Sequence, residues 1–248
     1  MMQIIIYGFI WVIIIHVILN RSLKLTQKKS MLIVKLISFT LLSYKLIEYG
    51  FHWIQGDFSK MPVEYSAITY LLFSITFLFD LKVLKPFVTF AAFLSGVGYL
   101  VTFPFLGGAF IEGNGVTTTL LALFNHSMLY VASIIVMKHK FYSIESRRSI
   151  LICTLIVVAY SITMQYLINF EGKYLFIYMV LDGRILYQLF HHIDIDGFVF
   201  LPYNLLIVSI YLGMIQIFYK VNIKVYELYH EFAPKMLGKE VIKHEHTV

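Results

Sequence analysis

Charge is scarce in this chain: only 14% of its 248 residues are Asp, Glu, Lys or Arg, against 59% apolar and 17% aromatic. That balance excludes a disordered protein, and a water-soluble domain with a mean hydropathy of +0.79 would expose more apolar surface than water tolerates. Cysteine is nearly absent. The one thiol, Cys153, stands inside an apolar run, which excludes a disulfide framework and a cysteine metal cluster. Also missing are a Walker loop, a glycine-rich dinucleotide turn and a Gly-x-Ser-x-Gly elbow. There is no internal repeat, low-complexity tract or linker, and no cofactor or metal site is expected.

What is present is apolar sequence in long runs. A membrane-crossing helix takes about 20 mainly apolar residues, and such runs occupy approximately 2–20, 31–50, 64–83, 86–105, 116–137, 149–169 and 197–219. They predict an all-α, polytopic membrane helical bundle of seven transmembrane helices over residues 1–220. A polar tail over 221–248 is expected to begin as a helix from Val221 to about Leu237. Met1 to Asn20 has no basic stretch before its apolar run and no small-residue cleavage site, so it reads as a retained first helix.

The formal charge of +6 is not gathered into a patch that would grip nucleic acid. Arg21, Lys24, Lys28 and Lys29 follow the first run; Lys82 and Lys85 lie between the third and fourth; Lys138, Lys140, Arg147 and Arg148 separate the fifth and sixth; and five lysines lie in the tail. The alternate connections hold only Lys60, Lys173 and Arg184, among Asp57, Glu112, Glu171, Asp182, Asp194 and Asp196. This asymmetry places the N-terminus outside and the C-terminus in the cytoplasm of a multi-pass cell-membrane protein whose partners are membrane lipids. The stretch 170–196 is apolar but carries Asp182, Gly183 and Arg184 at its centre; it reads as a re-entrant or interfacial pair of outer-face helices. Asp182 and Arg184, two residues apart, would act through different partners.

A charge at bilayer depth costs on the order of 3 kcal/mol unless it faces protein, water or a partner, so each polar group in a run has to be accounted for. Lys35 is placed to snorkel. Lys45, Glu48 and His52, three and four residues apart, form one polar ridge near the outer end of the second run. The third run opens Met61-Pro62-Val63-Glu64-Tyr65-Ser66, where Pro62 suits a first-turn position and Glu64 is favoured by the helix dipole. In the fourth, Ala91, Ala92, Ser95 and Gly96 allow close backbone approach and predict a central helix. His126, roughly 15 Å into the fifth run at 1.5 Å per residue, is an ionisable group near mid-bilayer. It reads equally as a hydrogen-bonded structural histidine or as a proton-transfer group, with Gln165 and Asn204 as available neutral partners. The His191-His192-x-Asp194-x-Asp196 run has metal-capable side chains without metal-site spacing and reads as a solvated loop.

The polar start of the third run, the small residues of the fourth and the His-x-Met-Leu-Tyr-Val string at 126–131 together resemble the YwaF-like bacterial integral membrane proteins, over roughly residues 60–190. Their eukaryotic relatives are transmembrane acyltransferases that act on ether phospholipids, so the resemblance implies a lipid-handling enzyme using thioester-type transfer with a histidine on a later helix. This chain departs from the pattern by having Glu64 and Ser66 where the bacterial relatives tend to have His and Cys. Ser66 would need a close base to act as a nucleophile, and His126 could supply it if the two meet at similar depth. Three readings stand. The first is an acyltransferase-like enzyme with an outward-facing cavity lined by Glu48, Glu64, Ser66 and His126; the second is a carrier or ligand-binding protein using Lys45, Glu48, Glu64 and His126 without covalent chemistry; the third is a non-catalytic scaffold.

Overall fold

The structure, a computed structural model, describes residues 2–56, 62, 64–167 and 201–230. Among them every regular element is helical: α1 (Met2–Leu23), α2 (Gln27–Ile54), α3 (Tyr65–Leu78), α4 (Lys85–Asn114), α5 (Val116–His139), α6 (Ser146–Leu167) and α7 (Leu201–Tyr229), with a 3-10 turn over Lys82–Leu84. Each apolar run of the sequence thus holds one helix. Four described stretches, Ile4–Leu23, Gln27–Ile54, Lys82–Asn114 and Val116–His139, are long and apolar enough to cross a bilayer. The segment 170–196, with Asp182 and Arg184, and the tail beyond residue 230 lie outside the described residues. Helix α7 passes residue 220 without a break and buries Asn222.

Helices α3 and α4 depart from their expected bounds for identifiable reasons. Helix α3 has 14 residues, about 21 Å at 1.5 Å per residue, where the apolar run extended from 64 to 83. It ends early because Asp80 takes the left-handed conformation at φ 56° and the Leu81 N–H reaches back to the Thr76 carbonyl at 3.0 Å. That closure terminates a helix whatever the polarity of the residues after it. Asp80 also pairs with Lys85, whose ammonium holds the exposed Asp80 carboxyl below its usual value of 3.8. At the other end, Glu64 is the N-cap of α3, so Pro62 precedes the helix instead of sitting in its first turn. Helix α4 runs past its expected end at 105 to Asn114, with Pro86 in its opening turn and Pro104 inside. Gly115, at φ 79°, then redirects the chain into α5.

Helix α4 is the centre of the bundle, as its small residues predicted, and it touches α1, α3, α5, α6 and α7. Ala91, Ala92 and Gly96 are buried. A Cβ on Gly96 would lie 2.7–2.8 Å from the backbone N, Cα and Cβ of Tyr130, so α4 and α5 meet nearly backbone to backbone. Helix α1 closes on α4 in the same way, with Gly8 facing Pro104 Cα at 2.8 Å from a built Cβ. The outward faces keep apolar side chains such as Ile13, Phe39 and Leu155 exposed.

Buried polar contacts fasten the end of the bundle that carries the basic loops. Lys138, at the end of α5, donates to the Leu23 and Leu25 carbonyls at 2.7 and 2.9 Å and so caps the C-terminus of α1. Asn222 of α7 accepts from the Tyr142 N–H at 2.9 Å and donates to the Lys140 carbonyl at 2.8 Å, fixing the α5–α6 connection.

The α4–α5 approach gives a direct test. Gly96→Ala forces a methyl group into the Tyr130 backbone and is expected to cost about 1–3 kcal/mol, the usual range for overpacking. Gly98→Ala, on the exposed side of the same helix with nothing within 4 Å, is expected to be neutral. Thermal denaturation in detergent should separate the two by several degrees, and equal midpoints would refute the close contact.

Candidate functional site

Four helices each present a polar side chain to one region of the bundle interior. From α2 come Lys45 and Glu48, paired at 2.6 Å and only 13% and 23% exposed. One helical turn separates them, so a single face of α2 holds both charges. The Lys45 ammonium is surrounded by tyrosine rings: it lies 5.1 Å from the centroid of Tyr44, 5.5 Å from Tyr49 and 5.1 Å from Tyr70. Such placement attracts a cation through the ring quadrupole. Tyr44 Oη adds a hydrogen bond to Glu48 Oε1 at 3.4 Å.

Tyr70 of α3 joins this pair to the mid-bilayer histidine. Its ring meets the His126 imidazole edge-on at 5.5 Å between centroids, and Tyr99 of α4 stacks on the imidazole at 4.3 Å with the planes 8° apart. His126 Nδ1 lies 3.0 Å from Ser95 Oγ of α4. One continuous polar path therefore runs Glu48–Lys45–Tyr70–His126–Ser95 through α2, α3, α5 and α4. Beside it the Tyr49 hydroxyl is buried and has no hydrogen-bond partner among the described residues.

Several expected site residues fall into this arrangement and others do not. Lys45, Glu48 and His126 belong to it, and Glu64 stands at its edge, half-buried at the start of α3. His52, one turn beyond Glu48, packs edge-on against Phe51 at 5.9 Å. Ser66 is half-buried one turn before Tyr70 on α3, but the hydroxyl at hydrogen-bond distance from His126 is that of Ser95. Ser95 is the described partner of His126; the side chains of Gln165 and Asn204, like Asp182 and Arg184, lie outside the described residues. Sequence reasoning had counted Ser95 only as a small packing residue. It gave Tyr70 and Tyr99 no part, although Tyr99 stands four residues after Ser95, on the same face of α4. Cys153 lies half-buried in α6. Among the described residues no three of His, Cys, Asp and Glu gather to hold a metal ion.

Comparison with protein-family models, curated proteins and solved structures finds no match to this chain. The chemistry of the cluster carries the functional reading by itself. It holds a positive and a negative charge side by side, an aromatic box that suits an ammonium, an imidazole, and a phenol with no hydrogen-bond partner among the described residues.

Removing one member of a charge pair in an apolar interior leaves the other uncompensated, whereas removing both does not. Glu48→Gln is expected to destabilise the protein by about 1–3 kcal/mol, and Lys45→Met in the same chain is expected to recover at least half of that loss. A double-mutant cycle of thermal midpoints measures the coupling; strictly additive losses would show that the pair carries no interaction energy.

Proposed function

We propose that this chain is a multi-pass protein of the cell membrane that binds a small zwitterionic ligand or headgroup in the α2–α5 cluster, without forming a bond to it. It crosses the bilayer seven times, N-terminus outside and C-terminus cytoplasmic. A helix at each of the seven apolar runs supports the crossings. The gathering of Arg21, Lys24, Lys82, Lys85, Lys140, Arg147 and Arg148 in alternate connections supports the orientation.

One observation carries the binding reading: the Lys45–Glu48 ion pair is kept among three tyrosine rings within the bundle. Intramembrane charges are expensive and mark ligand or ion sites. A zwitterion satisfies such a pair by exchange, its ammonium going to Glu48 and the aromatic box and its anionic end to Lys45. The Tyr49 hydroxyl supplies an additional hydrogen bond.

A second reading, acyl transfer in a lipid-handling enzyme, is favoured by the Ser95–His126 distance of 3.0 Å. In that case Ser95 would be the nucleophile and His126 its base. Among the described residues the imidazole contacts Ser95 and two tyrosine rings and no carboxylate orients it as a base, which makes this the weaker reading.

Thermal shift of the purified protein across zwitterionic, cationic and anionic solutes and headgroup analogues discriminates between them. A ligand at a hundredfold excess over its dissociation constant stabilises by about 2.7 kcal/mol, so a zwitterion is expected to raise the midpoint by about 5 °C or more. Glu48→Gln should abolish the rise. Silence across the panel would defeat the binding reading, and phospholipid acyl release lost in both Ser95→Ala and His126→Ala would establish the second.

A further inference from the structure

At the opposite end of the bundle, a cavity of about 550 Å³ opens at the start of α6, lined by Ile144, Glu145, Arg147, Arg148 and Leu151. We propose that it binds the phosphate headgroup of an anionic membrane lipid.

Three observations converge on that chemistry. Arg147 and Arg148 occupy the first turn of α6, the end of a helix where the backbone dipole is positive and where the N–H groups lack intrahelical acceptors. Two cations there repel the dipole, and an anion relieves both. Secondly, Arg147 Nε is buried and has no hydrogen-bond partner among the described residues, although a buried guanidinium N–H needs an acceptor. Thirdly, the backbone around the cavity is held in place. Ser149 Oγ donates to the Val83 carbonyl at 3.1 Å and Ser146 Oγ lies 2.9 Å from Tyr219 Oη. Glu145 also lines the cavity, and the two arginines outweigh its charge.

The walls select a lipid over a free anion. Ile144 and Leu151 are apolar, and Ile144 is 61% exposed. Directly beyond them Ile152, Leu155 and Ile156 are 57%, 68% and 62% exposed on α6. These lie five to nine residues from Arg147, about 8–13 Å along the helix axis. A phosphate held by the arginines would therefore have its acyl chains against an apolar helix face. Basic pockets between membrane helices at headgroup depth hold anionic lipids in this way. A phosphomonoester, with its extra negative charge and unsubstituted oxygens, matches paired arginines better than a phosphodiester.

The proposal rests on α6 crossing the membrane. The experiment is native mass spectrometry of the full chain released from mixed micelles containing phosphatidic acid, phosphatidylglycerol and phosphatidylcholine. Phosphatidic acid is expected to be retained about tenfold over phosphatidylcholine, which corresponds to a tenfold affinity ratio. Arg148→Gln, at an exposed position where folding is preserved, should lower that retention several-fold, and the Arg147→Gln/Arg148→Gln variant should abolish the preference. Lys35→Gln, removing an exposed cation on α2, should leave it unchanged. Equal retention of all three lipids, an equal loss in Lys35→Gln, or inorganic phosphate binding as tightly as the lipid would each overturn the proposal. Release of the protein from membranes by an alkaline carbonate wash would instead bring down the membrane reading beneath it.

Discussion

The approach of α4 to α5 at Gly96 and Tyr130 is the contact on which the polar interior depends. Helices bathed in lipid gain little from burying apolar surface against each other, so association relies on close packing through small residues. Once Gly96 lies against the Tyr130 backbone, the register of both helices is set. His126 is one turn before Tyr130 on the same face of α5, and Ser95 and Tyr99 flank Gly96 on α4. The Ser95–His126 contact and the Tyr99–His126 stack follow from that register. A bulkier residue at 96 would separate the helices and dissolve both contacts together.

The second constraint is the cost of charge. Lys45 and Glu48 could each have pointed outward, as the exposed Lys35 does on the same helix. They face inward instead, toward Tyr70 and hence toward His126. An ion pair in an apolar bundle is at best weakly stabilising once its desolvation is counted. Stability alone gives no reason to build one beside an imidazole and a Tyr49 hydroxyl that has no hydrogen-bond partner among the described residues. Exchange with a ligand does, because a charged partner then replaces one already desolvated.

Apolar runs located all seven helices because each run is a property of contiguous residues, and spacing alone paired Lys45 with Glu48. Depth along α5 marked His126 as an interior group. What stayed hidden depends on contacts between helices. Ser95 looked like one small residue in a packing stripe, and nothing local distinguished Tyr70 and Tyr99 from the other tyrosines. Lys138 was counted as a loop charge, yet it is buried and caps α1 across more than a hundred residues of sequence. The length of α3 was misjudged for a different reason. A hydropathy run cannot register that Asp80 enters the left-handed region and stops the helix while the sequence remains apolar on both sides.

The shortness of α3 has a consequence for the cluster. Its Asp80 end carries the exposed pair with Lys85 and belongs at the headgroup level. On the proposed seven-span reading, a helix of about 21 Å anchored there in a bilayer core about 30 Å thick would begin about 9 Å below the opposite surface. The N-terminus of α3 would then be drawn into the membrane, and with it Glu64, the half-buried N-cap. A sunken helix start brings inward-pointing N–H groups and the positive end of a dipole to a depth where lipid offers no acceptor. Glu64, the N-cap residue, is the carboxylate that stands at that helix end. On that reading an early helix stop at one surface would set a third charge at the edge of the polar cluster near the other.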